Sequence, residues 1–383
     1  MSPRPILLIT NDLGPRAGGI ETFILGLISQ LDGRKIVIYT SSQEGDSTFD
    51  QGLADKYGVV VIRDRAKVLL PTPRVYADIV KVLRVYQSTV IWYGATAPLA
   101  WMAPAFKKIG VIKQIGMTHG HEVWWAKLWP FSWALRRMGN SLDVVTYLGN
   151  FTRDSIKGAL GPHPDLVQIA PGIATNHFRP SPDGKKPEDL VAQFKLDGKK
   201  VILSVGRLVH RKGQDRLVQA LPEIIARVPN VCLVLIGIGP REAHLRKLAR
   251  TLKVDEHIKF LGRVQYDQLP RHIALGDVFA MPSRSRFFGL EVEGLGIVYL
   301  EASACGIPVI AGASGGAPDA VREGITGVTV DGNNVHKIAS AAIELLNNPE
   351  KARAMGVAGR EWSVAEWNWP LWGEKFSALL QTK

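Results

Sequence analysis

Val201-Ile202-Leu203-Ser204-Val205-Gly206-Arg207-Leu208-Val209-His210-Arg211-Lys212-Gly213 is an apolar run that ends in glycine and opens into a basic loop. A short β-branched run bounded by a turn residue reads as a buried strand. The signal recurs downstream at 231–236, 258–261, 278–281, 309–310 and 328–330, with helix-like segments between. Upstream, strand-like runs at 6–10, 35–40, 59–62, 90–93, 111–117, 144–147 and 167–169 alternate with helical patterns such as 20–31 and 98–108. Alternation of this kind argues for a parallel sheet covered on both faces. Between the two series, 171–200 carries Pro180, Pro182, Asp183, Gly184 and Pro187, which is linker chemistry. The expected fold class is therefore α/β, with two Rossmann-like doubly wound parallel-sheet domains facing a central cleft. The expected limits are 1–175 and 176–365, followed by a Trp-rich segment 366–383 that packs back on the first domain as a helix. Ligands of such sheets bind beyond the carboxyl ends of the strands, which makes the cleft the natural site.

A chain of 383 residues, 46% of them hydrophobic, is long for one core. No apolar run approaches the ~18 residues of a membrane span. The first ten residues read as a strand rather than a signal peptide, so the expected location is the cytoplasm. Cys232 and Cys305 sit in apolar stretches without a C-x-x-C and read as buried thiols. The formal net charge of +12 points to an anionic partner: nucleic acid, an anionic membrane or a phosphorylated small molecule.

Several loops carry chemistry. Gly18-Gly19-Ile20 follows the first strand and opens a helix, where free amide groups suit a phosphate; read alone, it is a weak signal and more readily a turn. Arg207 and Lys212 stand at a strand end and beside a helix start, an arrangement suited to a diphosphate. Gly237-Ile238-Gly239 lacks the third small residue of a dinucleotide fingerprint, because Glu242 stands there, and reads as a tight turn. The strongest signal is Glu293-Gly294-Leu295-Gly296-Ile297-Val298-Tyr299-Leu300-Glu301. Glu293 reads as a loop residue, and Glu301 reads as lying about two turns into the following helix. The amides from Gly294 to Val298 face an anion at that helix start. Each carboxylate suits a pair of sugar hydroxyls. His119, in Thr118-His119-Gly120-His121-Glu122, is a candidate donor to a sugar hydroxyl.

Together these pieces resemble glycosyltransferase family 4, over the whole chain. The resemblance implies the GT-B fold and retention at the anomeric carbon. It implies that Glu293 touches the transferred sugar, Glu301 binds the ribose, Arg207 and Lys212 hold the diphosphate, Gly18 and Gly19 lie near the phosphates, and His119 works on the sugar side. The catalytic set is then His119, Arg207, Lys212 and Glu293, and Lys259 falls near the base. Within the family, Leu70-Pro71-Thr72-Pro73, Ala97-Pro98-Leu99-Ala100, Thr118 to Val123 and the run from Gly294 through Ala311 look like the actinobacterial phosphatidylinositol mannoside α-mannosyltransferases. That likeness implies GDP-mannose as donor and a phosphatidylinositol monomannoside acceptor, extended in an α-1,6 linkage. Phe287-Phe288 before Gly289 depart from the glycine-rich loop expected there.

No Asp-x-Asp occurs in the chain, so transfer is expected to need no metal and no further cofactor. Trp124, Trp125, Lys127, Trp129, Trp133, Arg136 and Arg137 suit an anionic membrane interface, and Arg63, Arg65, Lys67, Arg74, Lys81 and Arg84 read as a second basic cluster. The expectation is a monomer associated peripherally with the inner membrane face. A hexosyltransferase using another UDP- or GDP-sugar, and a non-catalytic nucleotide- or lipid-binding relative, are the alternatives. A nucleic-acid partner lacks a basic-aromatic motif.

Overall fold

The computed structural model describes residues 4–16, 18–31 and 33–381. Residues 1–3 and 382–383, the outer ends of the first and last predicted segments, lie outside the described residues.

The chain forms two compact units, one running to Gly172 and resuming from Trp369, the other spanning Ile173–Asn368. The first contains β1 (Ile6–Thr10), β2 (Ile36–Ser41), β3 (Val60–Asp64), β4 (Val90–Tyr93), β5 (Lys113–Met117), β6 (Val144–Tyr147) and β7 (Asp165–Gln168). They pair in the order β3-β2-β1-β4-β5-β6-β7, parallel throughout. The second contains β8 (Lys200–Val205), β9 (Val231–Ile236), β10 (Ile258–Gly262), β11 (Val278–Met281), β12 (Val309–Gly312) and β13 (Gly327–Val330), in the order β10-β9-β8-β11-β12-β13, also parallel. Central strands of such sheets are covered on both faces, so they are apolar without alternation. Every residue of β1, β2, β4, β9, β11 and β12 is buried. Strand order reverses between β1 and β4 and again between β8 and β11, and a crevice opens at such a reversal.

Two expectations change. The 171–200 stretch is no free tether: Phe178 is buried, Glu188–Phe194 is a helix with Leu190 buried, and Arg360 Nη1 donates to the carbonyls of Thr175, Phe178 and Ala304. Proline and glycine signal irregular backbone, and here that backbone packs into the second unit. Three of the six cations of the second basic cluster are paired. Arg63 pairs with Asp50 at 2.6 Å, Lys81 with Asp78 at 2.8 Å, and Arg74 with Asp64 through two bonds of 2.8 and 2.9 Å. Arg74 leads the causes that hold the Asp64 carboxyl down to about 2, and the Tyr39 hydroxyl also donates to it.

The C-terminal helix Trp369–Leu379 belongs to the first unit. Phe376 meets Trp92 with ring centroids 4.7 Å apart, Trp369 meets Phe23 at 6.2 Å, and Arg34 Nη2 donates to Ser377 Oγ at 3.1 Å. Phe376 and Trp92 are both fully buried. Phe376→Ala is therefore expected to cost about 3–5 kcal/mol of stability in the first unit, the scale of an aromatic truncation in a core. Denaturant unfolding followed by tryptophan fluorescence measures it; a loss no larger than that of a surface substitution would mean the helix is only loosely attached.

Candidate active site

The loops that follow β8, β11 and β12 meet at the carboxyl edge of the second sheet. Glu293 lies in the loop after β11 and is buried. Its carboxylate accepts from Lys212 Nζ at 2.7 Å and from Arg211 Nη1 at 3.0 Å, both in the loop after β8. Arg211 also lies 3.7 Å from Glu291, which pairs with Arg286 at 3.0 Å. Lys212 is itself buried, so burial removes water from both partners and each needs the other. The loop after β12 supports Glu293 from behind. Ser314 Oγ accepts from its backbone N–H at 3.4 Å, and the Gly316 N–H donates to its carbonyl at 2.8 Å. A methyl at Gly315 would stand 2.2 Å from the Glu293 carbonyl oxygen, and one at Gly316 would stand 2.1 Å from that of Gly294. Those glycines serve the close approach of two backbones.

The helix Ile297–Ala304 starts after Gly296, which has φ +81°. Gly294, Leu295 and Gly296 lead into it, and Ile297 and Val298 form its first turn, where amides lack intrahelical acceptors. Glu301 is the fifth residue of this helix, a little over one turn in rather than two. Its carboxylate has no hydrogen bond or ion pair among the described residues, and burial alone pushes its pKa up to about 7. Arg207 is exposed and has no ion pair among the described residues. Lys259 does not join these residues. It lies within β10, level with Val234 of β9, away from the carboxyl-edge loops.

In the first unit, His119 follows β5. Its Nε2 lies 2.6 Å from the Gly94 carbonyl oxygen, at the end of β4, and its backbone N–H donates to Glu122 at 3.0 Å. Burial lowers its pKa, against the pull of the Glu122 carboxylate, so the ring is neutral near pH 7 and Nε2 is the donor. Gly18 precedes the helix Gly19–Ile28, to which Ile20 belongs, and its N–H donates to Glu21 at 3.0 Å. A methyl on Gly18 or Gly19 would meet no atom within 4 Å, so neither glycine is required by packing. Phe287, in the departing loop, is exposed at φ +49° under the Arg286 guanidinium.

The basic aromatic stretch divides by burial. Trp124 and Trp125 pack on Phe131, with centroids 4.9 and 5.1 Å away, and are half-buried. Trp129 is 83% exposed and Trp133 57%, beside exposed Lys127, Leu128, Arg136 and Arg137. Arg137 stacks on Trp101, and Arg136 donates to the Gly158 carbonyl at 2.7 Å. No described helix is long and apolar enough to cross a membrane.

Two doubly wound units with charged loops at the strand-order reversals define the GT-B class, and solved structures agree. The chain superposes on the UDP complex of Anabaena Alr3699/HepE with a TM-score of 0.80 over 98% of this chain and 99% of that one, at 19% identity. It superposes on WaaG, a glycosyltransferase of lipopolysaccharide biosynthesis, with a TM-score of 0.68 over 99% and 100% of the two chains, at 17% identity. Residues 17–177 match the family model Glycosyltransferase Family 4, and residues 185–362 match Glycosyl transferases group 1. A GDP-mannose-dependent alpha-(1-6)-phosphatidylinositol monomannoside mannosyltransferase of Mycolicibacterium smegmatis is 42% identical over 98% of both chains. The Corynebacterium glutamicum relative, named for a monoacylated acceptor of the same kind, is 42% identical over 99% of this chain and 98% of its own. The chain belongs to glycosyltransferase family 4.

Glu301 makes a prediction without any ligand. Its folded pKa of about 7 lies above the ordinary value of 4.5, so between them the folded chain binds the proton that the unfolded chain has released. Its contribution to stability is full below about 4.5, falls as pH rises towards 7, and is flat beyond. Glu301→Gln should remove this part of the pH profile of thermal stability. A variant whose profile keeps the full wild-type slope over that window would show that Glu301 titrates normally.

Proposed function

We propose that the chain is a retaining α-mannosyltransferase that moves mannose from GDP-mannose to a phosphatidylinositol monomannoside, forming an α-1,6 linkage at the cytoplasmic face of the membrane. The observation that carries the donor class is the buried Glu293 carboxylate against Lys212 and Arg211, one loop away from the unpartnered Glu301. The mannose and the lipid acceptor rest on relatives whose names specify them and which match this chain end to end.

On this reading Glu301 accepts two hydrogen bonds from the ribose, and Glu293 accepts from hydroxyls of the mannose. Arg207, Lys212 and the amides from Gly294 to Val298 neutralise the leaving diphosphate, so transfer runs without a metal. His119, whose one ring proton goes to the Gly94 carbonyl, accepts through Nδ1 from a hydroxyl of the mannose. The acceptor hydroxyl attacks from the face the diphosphate leaves; the C–O bond to the phosphate breaks, the new glycosidic bond forms, and a phosphate oxygen takes the acceptor's proton.

Kinetics and GDP titration separate the roles. Glu293→Gln should lower kcat by about a hundredfold, the scale of one lost transition-state contact, while GDP affinity changes little. Arg207→Ala should damage both, and EDTA should leave the wild-type rate unchanged. Equal loss of GDP affinity in the two variants, or a rate abolished by EDTA and restored by metal, contradicts the assignment.

The exposed Trp129 and Trp133 with Lys127, Arg136 and Arg137 suit the headgroup region of an anionic bilayer, to which each nearby cation adds about 1 kcal/mol. The double variant Trp129→Ser/Trp133→Ser is expected to lose most of its binding to phosphatidylinositol-containing vesicles. Wild-type binding should weaken with salt; binding indifferent to anionic lipid, or to both substitutions, rules this surface out.

A further inference from the structure

Arg284 has no part in the roles assigned above. It follows β11 and is 3% exposed. Its backbone N–H donates to the Arg211 carbonyl at 2.8 Å. Its Nη2 donates to Asp215 Oδ2 at 2.7 Å and lies 3.0 Å from each ring nitrogen of His210. The residues on either side of Arg211 and Lys212 are thus held by one buried guanidinium. Gly213 completes the grip: it sits at φ +76°, and a methyl there would stand 2.0 Å from the Pro282 carbonyl oxygen, so the two loops touch backbone to backbone.

The turn that carries the cations is weak by itself. His210–Lys212 is a single 3-10 turn with no side-chain cap. A buried ion pair is also a poor choice for stability alone, because apolar groups of similar volume do as well without the desolvation cost. Arg284 Nη1 is buried with no hydrogen-bond partner among the described residues, which adds to that cost. What a buried guanidinium supplies and an apolar contact does not is a fixed orientation, set by the directions of its N–H groups. Asp215 stands at the first turn of the helix Gln214–Arg227, where a carboxylate is favoured, and so gives Arg284 a stationary anchor.

We propose that Arg284, anchored by Asp215, is a positioning residue that aims Arg211 and Lys212 at the donor's diphosphate. The inference rests on the donor reading above. It makes Arg284 act through two other side chains, so its loss is felt by ligands that carry the diphosphate and not by those that lack it.

Calorimetric titration with GDP, and competition with guanosine, test this in Arg284→Lys and Asp215→Asn. Each change is made in the wild-type chain and in one carrying Arg211→Ala with Lys212→Ala, and thermal stability is followed throughout. The expected result is GDP affinity down about tenfold in each variant, the scale of one charge-assisted hydrogen bond, with guanosine affinity unchanged. In the background lacking both cations the loss should shrink to within about twofold, since the residues act as a unit. Equal losses for GDP and guanosine, or the same loss without Arg211 and Lys212, overturn the proposal. If Arg284→Lys does not fold, Asp215→Asn decides, because it leaves Arg284 in the chain. An Asp215→Asn chain that is also unfolded, or that binds GDP as the wild type does, assigns a merely structural role. Wild-type protein that binds no GDP sinks the donor reading instead, whereas wild-type binding with unaffected variants sinks the positioning role alone.

Discussion

The ion pair between Lys212 and Glu293 organises the second unit's site. Both groups are buried and sit 2.7 Å apart, and neither can be left alone without the cost of an isolated charge away from water. Three loops must therefore converge: the one after β8 brings the cation, the one after β11 the carboxylate, and the one after β12 the backbone support. They can do so because β8, β11 and β12 are consecutive neighbours in the sheet although far apart in sequence. The reversal between β8 and β11 is what leaves room above them.

Arg211 and Lys212 spend their charge on Glu293, while Arg207 stays exposed outside the pair. On the proposed reading a diphosphate competes for the same two cations and returns Glu293 to the sugar hydroxyls. Glu301 is the opposite case. It is buried with no countercharge among the described residues, and burial raises its pKa. Two carboxylates of one short segment thus have different electrostatics, because one faces a cationic loop and the other is buried without a cation to offset its desolvation among the described residues.

The sheet architecture was legible in the sequence, because every buried parallel strand is a short apolar run closed by a turn. Glu293, Lys212 and Arg207 were legible as residue types at strand ends. The partners that hold them were not. Arg284 meets Asp215 and His210 across about 70 residues, and nothing in local spacing marks that meeting. The depth of Glu301 was misjudged because the helix begins only after the left-handed Gly296. Arg63, Arg74 and Lys81 looked like free positive charge. Their partners Asp50, Asp64 and Asp78 lie within about a turn or a loop of them, but only the fold decides that they touch. Lys259, expected near the base, lies within β10, level with Val234 of β9.

That neutralisation bears on how the surplus charge is read. A net charge of +12 states only that cations outnumber acids; it does not say where a partner is attracted. Pairing weakens the contribution of Arg63, Arg74 and Lys81 to the field that an approaching anionic surface feels, while Arg65, Lys67 and Arg84 stay exposed. Exposed cations also stand beside the two exposed tryptophans, Trp129 and Trp133. An exposed tryptophan is costly in water, and Trp129 and Trp133 stand exposed in a stretch that also carries exposed Lys127, Arg136 and Arg137. A soluble polyanion would be served by the charge alone. On the proposed reading the tryptophans suit a partner that is both anionic and apolar within a few ångströms of depth, which is the chemistry of a phospholipid interface.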